Sequence, residues 1–157
     1  PLATVATTVP PGDAPPFSRG ATGPVVRASS AIAGSFVPVV IGGATYMDGD
    51  LVSPVPILAA KQLGADIVIA VDVSADLADT PPLEDIPLDW VSTGVIRKTL
   101  IDREAEQAAV MIRPRMPYYA GGGQEYKRMA IAAGEAAGRA AVTQIRASIE
   151  RAVSAQP

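Results

Sequence analysis

The stretch Leu63-Gly64-Ala65-Asp66-Ile67-Val68-Ile69-Ala70-Val71-Asp72-Val73 constrains the fold of this chain more than any other. Residues 65–73 are mainly apolar and rich in β-branched side chains, the pattern of a strand buried on both faces in a parallel sheet. They follow at once on a segment, residues 55–63, that reads as a helix, and Gly64 stands where a glycine ends one. Ser53-Pro54 reads as the start of that helix, with Ser53 as N-cap and Pro54 in the first turn. A helix joined through one glycine to a buried strand is the second half of a βαβ unit. The chain is therefore expected to be α/β.

The remaining elements fit that class. Residues 2–7 are short, apolar and β-branched, as a core strand is. Residues 9–23 are dense in proline and glycine and predict a loop or hairpin-like excursion. Residues 28–34 suit a short helix or turn of small residues. Residues 36–47 read as two strands around Gly42-Gly43, and Pro38 puts the first of them at an edge. After an acidic, proline-containing loop at 76–87, residues 90–107 predict an amphipathic helix carrying Val91, Val95, Ile96, Leu100 and Ile101. A short strand at 108–112 ends in Arg113-Pro114, and 116–123 is a loop. Residues 124–153 predict a long alanine-rich helix that packs through Met129, Ile131, Ala132, Ala136 and Ala140. No repeat or linker divides the sequence, so residues 1–157 are expected to belong to one domain.

Composition removes several classes of function. With 48% hydrophobic and 18% charged residues among 157, the chain has the makeup of a globular domain able to bury a core. A net charge of −3, with no basic run longer than two residues, excludes nucleic acid as the main partner. The chain has no cysteine and no histidine. Disulfides, thiolate metal sites and a cysteine nucleophile are thus ruled out, and a zinc site would have only carboxylates to use. No apolar run approaches the roughly 20 residues that span a bilayer. The first residues, Pro1-Leu2-Ala3-Thr4-Val5-Ala6, open inside a strand with no initiator methionine, and the chain is expected to be the rear part of a longer polypeptide.

The chemistry-bearing stretch is Tyr46-Met47-Asp48-Gly49-Asp50, two acids around one glycine between a strand and a helix. An EF-hand loop beginning at Asp48 needs glycine at its sixth position and glutamate at its twelfth. Ser53 and Ala59 stand there, so that reading fails; no dedicated metal site and no cofactor are expected. Two alternatives remain. Gly49 is a permissive turn residue with Asp50 capping or solvated, or Asp48 projects from a strand end as a base. A carboxylate can activate a serine hydroxyl when burial or a neighbouring charge raises its basicity, and Asp50 is placed to give a like-charge push.

The ordered segments Arg27-Ala-Ser-Ser-Ala-Ile-Ala-Gly-Ser-Phe-Val-Pro-Val39, Tyr46-Met-Asp-Gly49 and Leu63-Gly-Ala-Asp-Ile-Val-Ile-Ala-Val-Asp-Val73 resemble the patatin-like phospholipase family, most closely its bacterial members related to neuropathy target esterase. Leu2-Ala-Thr-Val-Ala-Thr7 and Ala109-Val-Met-Ile-Arg-Pro114 resemble two further family strands. The match is dense from Pro1 to about Ser74 and looser from Trp90 to Ala141. It implies a three-layer α/β/α sandwich of patatin type, of which residues 1–157 are the C-terminal part. It also implies a lipid acyl hydrolase with a serine–aspartate dyad, acting on a lipid or acyl ester, with peripheral membrane contact among its partners. The family aspartate maps onto Asp48, followed by Gly49.

The family nucleophile lies upstream in a Gly-x-Ser-x-Gly elbow, behind a glycine-rich oxyanion loop. Ser18, Ser29, Ser30, Ser35, Ser53, Ser74, Ser92, Ser148 and Ser154 all lack that glycine pair. The resemblance therefore implies that a missing N-terminal segment carries the serine and that this chain alone is inactive. Two positions depart from the family pattern: Asp50 replaces a small residue, tolerable if its backbone is left-handed, and Ala33 replaces a proline. They leave room for the alternative of a catalytically silent binding or regulatory domain. Outside the motif, Gly121-Gly122-Gly123 reads as a flexible connection, Arg113 and Arg115 as a solvated strand end, and Trp90, Tyr118 and Tyr119 as packing residues.

Overall fold

The computed structural model describes residues 2–75, 88–116 and 123–154. The expected loop at 76–87, together with Tyr118, Tyr119, Gly121 and Gly122, lies outside them. The chain contains both helices and strands and falls into two compact units, Pro1–Ala65 with Arg97–Glu104, and Asp66–Ile96 with Ala105–Pro157.

The first unit is built on a four-stranded antiparallel sheet in the order β2-β1-β4-β3, with β1 at Thr4–Thr8, β2 at Pro16–Phe17, β3 at Val39–Ile41 and β4 at Ala44–Asp48. Strand β1 is internal, and its Val5, Ala6 and Thr7 are buried, as expected of a core strand. The proline-rich excursion after it returns as β2, pairing Thr4 with Phe17. The β3–β4 hairpin turns on Gly42 and Gly43 at φ +59° and +84°. Two consecutive positive φ values match the twist of a two-residue hairpin and require glycine. Strand β3 does form the sheet edge, as Pro38 implied, but it starts only at Val39; Phe36 and Val37 before it are exposed.

Helix α1 spans Thr22–Ser29, about one and a half turns earlier than the small-residue segment suggested. Pro24 sits in its first turn, where a missing N–H costs nothing. The helix packs on β1 and β4 through alanine. Ala6, Ala28, Ala31 and Val39 form the buried cluster, ringed by Phe17, Ile41 and Tyr46. The Phe17 and Tyr46 rings meet edge to face with centroids 5.1 Å apart, a favoured aromatic geometry.

Helix α2 is Ile57–Gln62, so it begins four residues after Ser53. Its start is held from a distant part of the chain: Glu104 Oε2 accepts the Leu58 N–H at 2.9 Å, and Glu104 Oε1 accepts the Ser53 hydroxyl at 3.1 Å. The expected N-cap is thus corrected, because a carboxylate offers a stronger acceptor than a serine hydroxyl. The end of α2 follows expectation. Gly64 has φ +91°, its N–H reaches Lys61 O at 2.9 Å, and Ala65 N–H reaches Ala60 O at 3.1 Å, the paired bonds of a Schellman motif.

In the second unit, β5 at Ile69–Val71 pairs in parallel with β6 at Val110–Ile112. Parallel pairing agrees with the sequence reading; burial on both faces does not. Val68, Ala70 and Asp72 are buried, while Ile69, Val71 and Val73 are 41%, 51% and 66% exposed. Among the described residues the sheet has two strands, so β5 gains cover from one neighbour only. Helix α4, Gln124–Ser154, packs against β6. Its less exposed stripe runs through Ala130, Ala133, Ala137, Ala141 and Ile145, and the expected stripe through Ile131, Ala132, Ala136 and Ala140 faces outward. Helix α3 spans Leu88–Ala105; Ile101 is buried in it, whereas Val95 and Ile96 are exposed.

Candidate active site

Asp48 is the last residue of β4, directly opposite Ala6 on β1. Three contacts fix it. Its backbone N–H donates to Ala31 O at 3.0 Å, its carbonyl accepts the Thr7 hydroxyl at 2.8 Å, and its Oδ1 accepts the Asp50 N–H at 2.9 Å. That last bond makes Asp48 the cap of a short 3-10 turn, Gly49–Leu51. Short acceptors are favoured at such positions because they satisfy an N–H the turn leaves open. The turn reading therefore survives with its residues exchanged: Asp48 caps, and Asp50 does something else.

Gly49 is buried under β1. A Cβ built on it would lie 2.5 Å from the Val5 carbonyl oxygen and 3.0 Å from its carbon. Both obstacles are backbone, so neither can swing aside. Glycine is required here by close approach and not by a positive φ. Asp50 likewise has an ordinary negative φ, and the left-handed backbone considered for it is absent. Its carboxylate takes both arms of the Arg97 guanidinium, Nη2 at 2.9 Å and Nη1 at 3.2 Å. The fork offsets the like-charge push expected of Asp50. Both side chains are roughly a third exposed, which limits such a pair to about 0.5–1 kcal/mol.

These residues line a cleft of about 270 Å³, bounded by Thr4 and Val5 of β1, Ser29 of α1, Asp48–Asp50, and Ser53 with Pro54 and Pro56. Asp48 thus combines a fixed backbone, one engaged carboxylate oxygen and a place on a cleft wall. Among the described residues no donor meets its Oδ2. This arrangement can hold a carboxylate ready to accept a proton from a group entering the cleft.

Sequence reasoning did not find Thr7, Arg97 or Glu104. Thr7 was hidden in an apolar strand. Arg97 and Glu104, seven apart on α3, share a helical face, but spacing does not say which loop that face meets. A second acid, Asp72, lies buried just beyond β5. Its Oδ1 accepts the Ser74 N–H at 3.0 Å and the Ser74 hydroxyl at 2.5 Å, and Arg113 Nε stands 3.4 Å from Oδ2. Arg113 therefore pairs with Asp72 and is not simply solvated. Trp90 is exposed at the start of α3.

Against known proteins, no family model matches the chain. A stretch of 56 residues is 38% identical to Lysophospholipase NTE1 of Debaryomyces hansenii, and an equal stretch is 38% identical to Lysophospholipase NTE1 of Phaeosphaeria nodorum. Each match covers 36% of this chain and 4% of the relative. The similarity is partial, and it supports a patatin-like relationship.

Proposed function

We propose that this chain is the C-terminal part of a patatin-like lipid acyl hydrolase and supplies the aspartate of a serine–aspartate dyad. The observation that carries the proposal is Asp48 itself: a strand-end carboxylate on the wall of a cleft, its Oδ1 held by the Asp50 N–H and its own backbone held by Ala31 O and the Thr7 hydroxyl. The lysophospholipase names of the two relatives support the substrate class, an acyl ester of a lipid. On this reading residues 1–157 complete a three-layer α/β/α sandwich with an N-terminal segment outside this chain. That segment brings the serine elbow and the oxyanion donors.

In the proposed cycle Asp48 takes the proton from the serine hydroxyl as its oxygen attacks the ester carbonyl. Backbone donors of the N-terminal segment hold the oxyanion. The ester C–O bond breaks, and the protonated Asp48 returns its proton to the departing alcohol. Water then attacks the acyl-serine while Asp48 accepts its proton, the fatty acid leaves, and the serine oxygen regains hydrogen. Gly49 lets the turn lie flat under β1, and Thr7 holds the Asp48 carbonyl.

The test is hydrolysis of short p-nitrophenyl acyl esters by the full-length protein. Asp48→Asn is expected to reduce kcat by about 10³-fold or more while leaving the thermal midpoint near that of the parent. Full turnover in that variant would sink the dyad assignment. No turnover in the parent protein either would favour the second reading, a silent patatin-like binding domain, in which Asp48 is only the cap of its turn.

A further inference from the structure

We propose that Arg97 is a positioning residue for Asp48, acting through Asp50; this rests on the dyad reading. Two contacts in series connect them. The Arg97 guanidinium grips both oxygens of the Asp50 carboxylate, at 2.9 and 3.2 Å. The backbone N–H of the same Asp50 donates to Asp48 Oδ1 at 2.9 Å. Fixing the Asp50 side chain therefore fixes the peptide that aims the Asp48 carboxylate. Arg97 also places a positive charge on the acid two residues from the base, so that Asp50 does not stand as an uncompensated neighbour.

The segment Arg97–Glu104 does this from one helical face. Two turns beyond Arg97, Glu104 accepts the Ser53 hydroxyl and the Leu58 N–H, so the stretch from Asp48 to the start of α2 is held at both ends. The Asp50 side chain is the part of the site that the family pattern does not contain, and Arg97 gives it a use. A bidentate fork suits the task because it fixes orientation as well as charge, which a lysine ammonium cannot. Misplacing a catalytic group by a fraction of its working distance is costly in rate and not in ground-state binding.

A double-mutant cycle in the full-length protein, read as kcat and KM on p-nitrophenyl butyrate, decides the matter. Arg97→Ala is expected to lower kcat about tenfold with KM unchanged, and Arg97→Lys to recover part of that loss. In an Asp50→Gly background, Arg97→Ala is expected to have no further effect. An equal fall in kcat in that background would overturn the proposal, because Arg97 would then act by another route. A change confined to KM, or full kcat in Arg97→Ala, would also overturn it. If Arg97→Ala does not fold, the milder Arg97→Lys carries the same cycle, and full kcat in it would count against the fork. Asp48→Asn separates the two levels. Activity in that variant defeats the dyad itself, whereas a dead Asp48→Asn with a fully active Arg97→Ala defeats only the positioning.

Discussion

Gly49 shows how much one missing atom decides at this site. Its Cβ position is occupied by the Val5 carbonyl, so Gly49→Ala must push two backbones apart. A loss of about 1–3 kcal/mol in urea unfolding is expected, together with reduced ester turnover, since Asp48 precedes it on the same turn. Thr7 gives a milder probe. Its buried hydroxyl donates to Asp48 O at 2.8 Å, and Thr7→Val keeps the shape while deleting the donor. That substitution is expected to cost about 1 kcal/mol in the same measurement. The Asp-Gly pair was legible as a turn in the sequence. Which of its two acids caps and which forms an ion pair was not, because the answer depends on Arg97, 47 residues away.

At the scale of elements, the local signals worked where the partner groups are local. Gly42-Gly43 closes its hairpin and Gly64 closes α2 within a few residues, so chain chemistry alone specifies both. Gly64→Ala, forced into φ +91°, is expected to cost about 1 kcal/mol or more as a lower thermal midpoint. Local signals failed where a distant residue competes. Ser53 has the composition of an N-cap, yet Glu104 takes that task for α2 and turns Ser53 into a donor. Glu104→Ala removes both bonds and is expected to cost about 1–2 kcal/mol, whereas Ser53→Ala leaves the Leu58 cap in place and costs less. The long helix α4 carries the same lesson. An alanine-rich sequence offers small residues on several faces, so composition does not choose which face packs.

For the molecule as a whole, the exposure of Ile69, Val71 and Val73 has a measurable consequence. The 157-residue chain expressed by itself is expected to bind a hydrophobic dye and to self-associate at micromolar concentration. Ile69→Thr with Val71→Thr should reduce both, because apolar strand surface left uncovered templates association. On the dyad reading the same isolated chain hydrolyses no ester. The mixed α/β class, the parallel pairing of the apolar strand and the edge place of the Pro38 strand were legible in the residues alone. Those features rest on period, turn chemistry and residue type, which are written within a few positions. Only the tertiary structure decided that Asp50 is gripped by Arg97, that Glu104 caps α2 and that Gly49 is there for want of space. Each of those depends on groups 44 to 51 positions apart meeting through the packing of separate elements, and no local pattern records which elements meet.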